Sequence, residues 1–115
     1  MSTRETPFKP MESLKEDSAF QFGHTLFAEE FYWEAHEIWE SVWMACAPNS
    51  PQKLLVQAMI QVANARLKQC MDRPKAADRL YCEADRLARD AFQRAGGEIE
   101  GMTCDWFDKW VNNVI

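Results

Sequence analysis

A chain of 115 residues, 47% hydrophobic and 12% aromatic with five Trp, has apolar surface for one core and is too short for two. That composition excludes intrinsic disorder, and no run approaches the roughly 18 apolar residues that a membrane span needs. The net charge of −5 is uneven, with three basic and nine acidic side chains in residues 1–50 against ten and nine in 51–115. Between Lys15 and Lys53 there is no Lys or Arg, whereas Asp17, Glu29, Glu30, Glu34, Glu37 and Glu40 all fall there. Such a half-chain repels a phosphate backbone, so no nucleic-acid partner is expected. The opening Met1-Ser2-Thr3-Arg4 lacks the apolar stretch of a signal peptide, and the expected location is cytoplasmic, with no membrane partner. Cys46, Cys70, Cys82 and Cys104 are too scattered for a CxxC pair or a zinc ribbon and read as four buried thiols.

In chain order, residues 1–12, with Pro7 and Pro10, read as an extended arm ahead of a single helical domain over 13–115. Ser13-Leu14-Lys15-Glu16 has the form of a capping box, so a first helix is expected from about Leu14 to Phe27. Apolar positions recur at helical spacing from Phe31 to Val42, and Pro48 forbids continuation. Ser50 as N-cap and Pro51 at the first helical position open a third helix that runs to about Cys70. Asp72 and Pro74 repeat the pattern of polar cap and early Pro for a fourth, which Gly96-Gly97 ends. On it, Ala77, Leu80, Ala84, Leu87, Ala88 and Ala91 form an apolar stripe whose small side chains imply close packing. Thr103 caps a last helix with Trp106, Phe107, Trp110, Val111 and Val114 on one face. The chain thus reads as all-α, a compact bundle of four to five helices with short connections.

The second helix carries the unusual feature. At 100° per residue, Phe31, Ala35, Ile38, Val42 and Ala45 project one way, Glu34 and Ser41 the other. Between them His36 and Glu40 stand one turn apart, flanked by Trp43 on one side and by Trp33 and Met44 on the other. A carboxylate beneath apolar neighbours needs a partner, and His36 is the nearest. On the third helix Lys53, Gln57, Gln61, Asn64 and Lys68 form a narrow polar strip, and Gln61, Asn64 and Lys68 are expected to face His36 and Glu40. His36-Glu37 begins like H-E-x-x-H, but Glu40 stands where the second His would be, so no metal or other cofactor is expected. The alternative is a divalent ion held by His36, Glu37 and Glu40.

The stretch Phe27 to Trp43, with Glu34-Ala35-His36-Glu37, Glu40 and Trp43, resembles the signature of the domain-of-unknown-function family 309, small all-helical proteins of bacteria, archaea and plastids. Leu55, Ala58, Met59, Ile60, Gln61, Val62 and Ala63 resemble its second, apolar block. The likeness covers about residues 20–90 and implies that His36, Glu37, Glu40, Trp43 and Gln61 form a joint site; it supplies no reaction. Two places depart from the pattern: Ala28 and Glu30 stand for its Asn and Gly, and Asp72-Arg73-Pro74-Lys75-Ala76 replaces its loop after the third helix.

The reading that follows is a helical protein whose second and third helices frame a polar pocket for a small molecule or partner segment. Its lining would be His36, Glu37, Glu40, Trp33, Trp43, Gln61, Asn64 and Lys68. One alternative is a metal-assisted hydrolase using His36, Glu37 and Glu40. Another is an interaction module that homodimerises through the aromatic C-terminal helix.

Overall fold

The structure, a computed structural model, describes residues 11–112. It consists of α1 (Ser18–Ala28), α2 (Tyr32–Ala45), α3 (Pro51–Cys70), α4 (Pro74–Arg94) and α5 (Cys104–Val111). The expected all-α bundle is what forms. Among the described residues, the only β feature is a bridge between Ile99 and Met102. Residues 1–10 of the expected arm, and Val114, lie outside the described residues.

The longest apolar helix becomes the centre. α3 buries Leu55, Val56, Ala58, Met59, Val62, Ala63 and Ala65, and packs against α2 and α4. Helix α4 meets it with Ala77, Ala84, Ala88 and Ala91, whose short side chains let the two backbones approach. Its outer face carries the i, i+4 pairs Arg89–Asp85 and Arg94–Asp90. α5 closes one end by burying Phe107 and Trp110, so much of its aromatic face is spent inside the chain. Arg66 ties four helices together. It donates to the Tyr81 hydroxyl on α4 (3.0 Å) and to the Val111 carbonyl at the end of α5, and lies over the Phe27 ring of α1. A cation at the carbonyl end of α5 also suits that helix's dipole.

The tightest contact joins α1 to α2. Trp39 is 0% exposed, and its Nε1 donates to the Phe20 carbonyl at 3.2 Å. The indole lies on Gly23, where a Cβ would come within 2.1 Å of Nε1. A helix normally prefers Ala to Gly by about 1 kcal/mol, yet here only Gly leaves space for the ring.

Three helices end in the same way, and this corrects the expected role of Asp72. In each, the residue beyond the C-cap takes a positive φ: Glu30 (69°) after α1, Asp72 (58°) after α3 and Gly96 (83°) after α4. The amides of Phe31, Arg73 and Gly97 then donate to the carbonyls of Leu26, Lys68 and Phe92, the long bond of a Schellman motif. Asp72 therefore terminates α3 and does not cap α4, whose N-cap position is held by Arg73 without a side-chain bond. Glu30 keeps the break that a Gly would make, in a region costly to a residue with a Cβ.

The first helix also starts later than expected, at Ser18 with Asp17 accepting from the Phe20 amide at 2.9 Å. Ser13 does accept from the Glu16 amide, but the reciprocal carboxylate comes from far along the chain. Glu100 accepts from the Ser13 hydroxyl and from the amides of Leu14 and Lys15, all at 2.9–3.0 Å. It can do so because Ile99–Met102 is a tight turn with Glu100 and Gly101 both at positive φ. The second helix runs to Ala45, ending ahead of Pro48 as expected, and in its last turn the Trp43 carbonyl accepts from Lys53 at 2.9 Å. Of the four thiols expected to be buried, only Cys46 is. Burial pushes it up to about 11, while Cys70 and Cys82 are exposed because they fall on the outer faces of α3 and α4.

Two consequences can be measured by urea unfolding. Gly23→Ala should destabilise by about 1–3 kcal/mol through overpacking against Trp39, against the gain that helix propensity alone would give; a more stable variant would show that the indole does not rest there. Among the left-handed Glu residues, Glu30→Gly should stabilise by about 0.5–1 kcal/mol, since no side-chain bond is lost. Glu100→Gly should instead destabilise by about 1–2 kcal/mol, because three hydrogen bonds go with its carboxylate. Changes of the same sign at both positions would contradict this division.

Candidate functional site

Helix α2 turns its core side, Ala35, Trp39 and Val42, toward the bundle. The next strip around the cylinder holds Trp43 and His36, then Glu40, Trp33, Met44 and Glu37. His36 Nε2 lies 2.9 Å from Glu40 Oε2, with the His36 side chain 13% exposed and that of Glu40 54%. The Trp33 ring stands edge-on to His36, centroids 5.1 Å apart. His36 Nδ1 is buried without a partner among the described residues. An N–H in that place would be stranded, so the ring keeps its proton on Nε2, facing the carboxylate, and leaves Nδ1 a bare lone pair.

This geometry corrects the expected pocket. Glu40 is not held beneath indoles: as the exposed end of a single turn of helix it stays largely hydrated, and its pair with His36 is worth about 1 kcal/mol or less. Trp33 is 55% exposed and Met44 68%, so neither is an inner wall. Glu37 is exposed. Trp43 does form a wall. Its ring is half-buried with the Lys53 ammonium 3.8 Å from the ring centroid, and its Nε1 is buried without a partner among the described residues. Glu40, Trp43 and Met44 from α2, with Gln57 and Ile60 from α3, line a groove of about 340 Å³.

The strip on α3 divides. Gln57 lines the groove and Lys53 lies over the Trp43 ring, whereas Asn64 donates to Gln61 at 3.2 Å and Lys68 stands in the last turn of α3. Among the described residues, no hydrogen bond joins Gln61, Asn64 or Lys68 to His36 or Glu40. Ligand atoms of His36, Glu37 and Glu40 nevertheless lie within 4.8 Å of one another, close enough to share one cation. Three such groups offer one nitrogen and two carboxylates and leave other positions of an ion open.

The profile of the family described as a domain of unknown function, DUF309, matches residues 20–80, more than half of the chain. The chain belongs to the DUF309 family. The matched span runs from α1 through α2 and α3 into α4, so the His36–Glu40 stripe and its groove lie within it and α5 lies beyond it. No curated protein and no solved structure matches this DUF309 chain.

Sequence reasoning passed over the second imidazole of this DUF309 protein. His24 is wedged among Phe20, Trp39, Trp110 and Trp106, with ring centroids 4.9, 5.2, 5.6 and 6.0 Å away. Desolvation lowers its pKa from 6.5 to about 4, so the ring stays neutral where an exposed His would charge. The only hint in the sequence is its spacing from Phe20 and Phe27, one turn to either side on the apolar face of α1.

His24 predicts an acid dependence. Below pH 6.5 the unfolded chain takes up a proton that the folded chain refuses until about pH 4, so stability present above 6.5 is lost progressively as the pH falls between those values. Between pH 7 and 5, wild type should lose on the order of 2 kcal/mol more than His24→Phe. The comparison removes every contribution the two proteins share, and parallel unfolding curves would rule out a proton-refusing His24.

Proposed function

We propose that this DUF309 chain is a binding module. Its working face is the exposed stripe of α2 with the adjoining α2–α3 groove, and its ligand carries a cationic head on an apolar body. The observation that supports this reading is the mixture on that stripe: Trp33 and Met44 project into solvent beside Glu37 and Glu40. Large exposed apolar groups next to acids mark a surface for an amphipathic cation more readily than a solvated face. The segment from Glu16 to Gln52 contains no Lys or Arg to neutralise those acids. Lys53, on the facing helix, is engaged with the ring and carbonyl of Trp43. An ammonium or guanidinium at Glu40 would bring its apolar part over Trp33 or into the groove beside Met44 and Ile60.

A second reading rests on the approach of His36, Glu37 and Glu40. A divalent ion there would replace the Nε2 proton of His36, and the positions left open could carry a water for hydrolysis.

One set of titrations addresses both, read from indole ¹H–¹⁵N signals. With 1-naphthylmethylamine as the probe, the Trp33 and Trp43 signals should shift saturably, and Glu40→Gln should weaken binding about fivefold, or ~1 kcal/mol. Stability of that variant should stay within about 1 kcal/mol of wild type. If zinc or manganese instead raises the melting temperature, EDTA reverses the rise and His36→Ala abolishes it, the ion is the ligand. Indifference to the amine and to both metals would remove both readings.

A further inference from the structure

A cavity of about 390 Å³ opens where α1 meets α5. Trp106, Trp110 and Met102 supply its apolar walls, and Lys15, Gln21 and His24 its polar groups. The two indoles are parallel to within 6°, with centroids 6.1 Å apart, so the apolar side presents flat surfaces of one orientation. Among the described residues no acid lines this cavity.

The polar side is built for an anion. Among the described residues no carboxylate lies within ion-pair reach of Lys15. Glu100, whose carboxylate meets the Lys15 backbone, directs both oxygens to the Ser13 hydroxyl and to the backbone amides of Leu14 and Lys15. That anchoring sets the Lys15 backbone while leaving its side chain to extend over Gly101, where a Cβ would lie 3.8 Å from Nζ. Gln21 is turned back to the Lys15 carbonyl, which further fixes the rim. The imidazole of His24 makes no hydrogen bond among the described residues, although aromatic rings pack around it from four sides. Its unpaired ring nitrogens are the second polar contact available to a molecule in the cavity. A pocket of this size with apolar walls and few polar groups fits a small organic molecule.

We propose that this cavity is a binding site for a small aromatic carboxylate, its ring against Trp106 and Trp110 and its anionic head on the Lys15 ammonium. The uncharged imidazole floor accepts the ring without opposing the anion and can give it one N–H. Because the cavity carries the opposite sign to the α2 stripe, the two sites should sort ligands by charge. This site stands on its own residues and is independent of the reading of α2.

The test uses the full chain and two probes of the same shape, 1-naphthoate and 1-naphthylmethylamine, followed through the indole signals. Naphthoate should shift the Trp106 and Trp110 signals saturably, and Lys15→Gln, at an exposed position that leaves the core intact, should weaken its binding about tenfold. The amine should leave Trp106 and Trp110 unmoved. Three results would each overturn the site: shifts that grow without saturating, equal affinity in Lys15→Gln, or equal response to the amine. Unchanged signals from Trp39 in Lys15→Gln serve to show that the variant is folded.

Discussion

The contact of Trp39 with Gly23 sets the geometry on which the rest depends. Placing the largest side chain in the core between α1 and α2 fixes their separation at the width of an indole ring, with one hydrogen bond to the Phe20 carbonyl to keep the Nε1 donor satisfied. Full burial of a Trp is worth several kcal/mol, and the glycine opposite gives up helix propensity to make it possible. The rotation of α2 about its own axis follows from this. With Trp39 pointing at the core, His36 and Trp43 must fall on its flank and Glu40, Trp33 and Met44 one step further out. The candidate site is half in and half out because the core residue beside it is so large.

That rotation also explains why the fold was legible in the sequence and the site only partly so. Helix ends have local causes: Ser50 with Pro51, Thr103 and Gly96 each act through their own backbone and can be read from a few residues. Where the partner is distant, local reading fails. The Ser13–Glu16 box is completed by Glu100 from the other end of the chain, and Asp72 serves the helix before it rather than the one after it. Helical spacing brings His36, Glu37 and Glu40 together on α2, their ligand atoms within 4.8 Å of one another. Whether that cluster faced inward could not be read, since the choice between burying Trp39 and burying Trp43 depends on a glycine sixteen residues away from the first of them.

The flank of α2 carries a strain that the core does not. His36 Nδ1 and Trp43 Nε1 are both buried without partners among the described residues, about two turns apart, and Trp43 borders a groove that reaches solvent at Glu40. The imidazole lowers its cost by leaving Nδ1 unprotonated, but the indole has no such option, because its N–H is fixed. A buried donor of this kind is worth about 1–3 kcal/mol to whatever satisfies it. Lys53 offsets part of this by lying on the face of the Trp43 ring, a contact that leaves the N–H itself untouched. The position therefore holds unspent hydrogen-bonding capacity next to unspent negative charge.

Charge divides the molecule in a way that the total of −5 conceals. The acidic residues of α2 gather on a helix without cations, while Arg86, Arg89 and Arg94 of the Arg-rich α4 pair with Glu83, Asp85 and Asp90 on the same helix and with Asp108 of α5. Among the described residues Lys15 makes no ion pair, and Glu100 instead holds its backbone amide and that of Leu14. That carboxylate anchors the rim of the α1–α5 cavity through the backbone, and the Lys15 side chain is left to line the cavity. The α2 stripe lies inside the span matched by the DUF309 profile, whereas Lys15, Met102, Trp106 and Trp110 lie outside it. The acidic face thus lies wholly within the matched span, whereas the cavity joins Phe20, Gln21 and His24 from that span to a lysine and three apolar walls from the flanking segments.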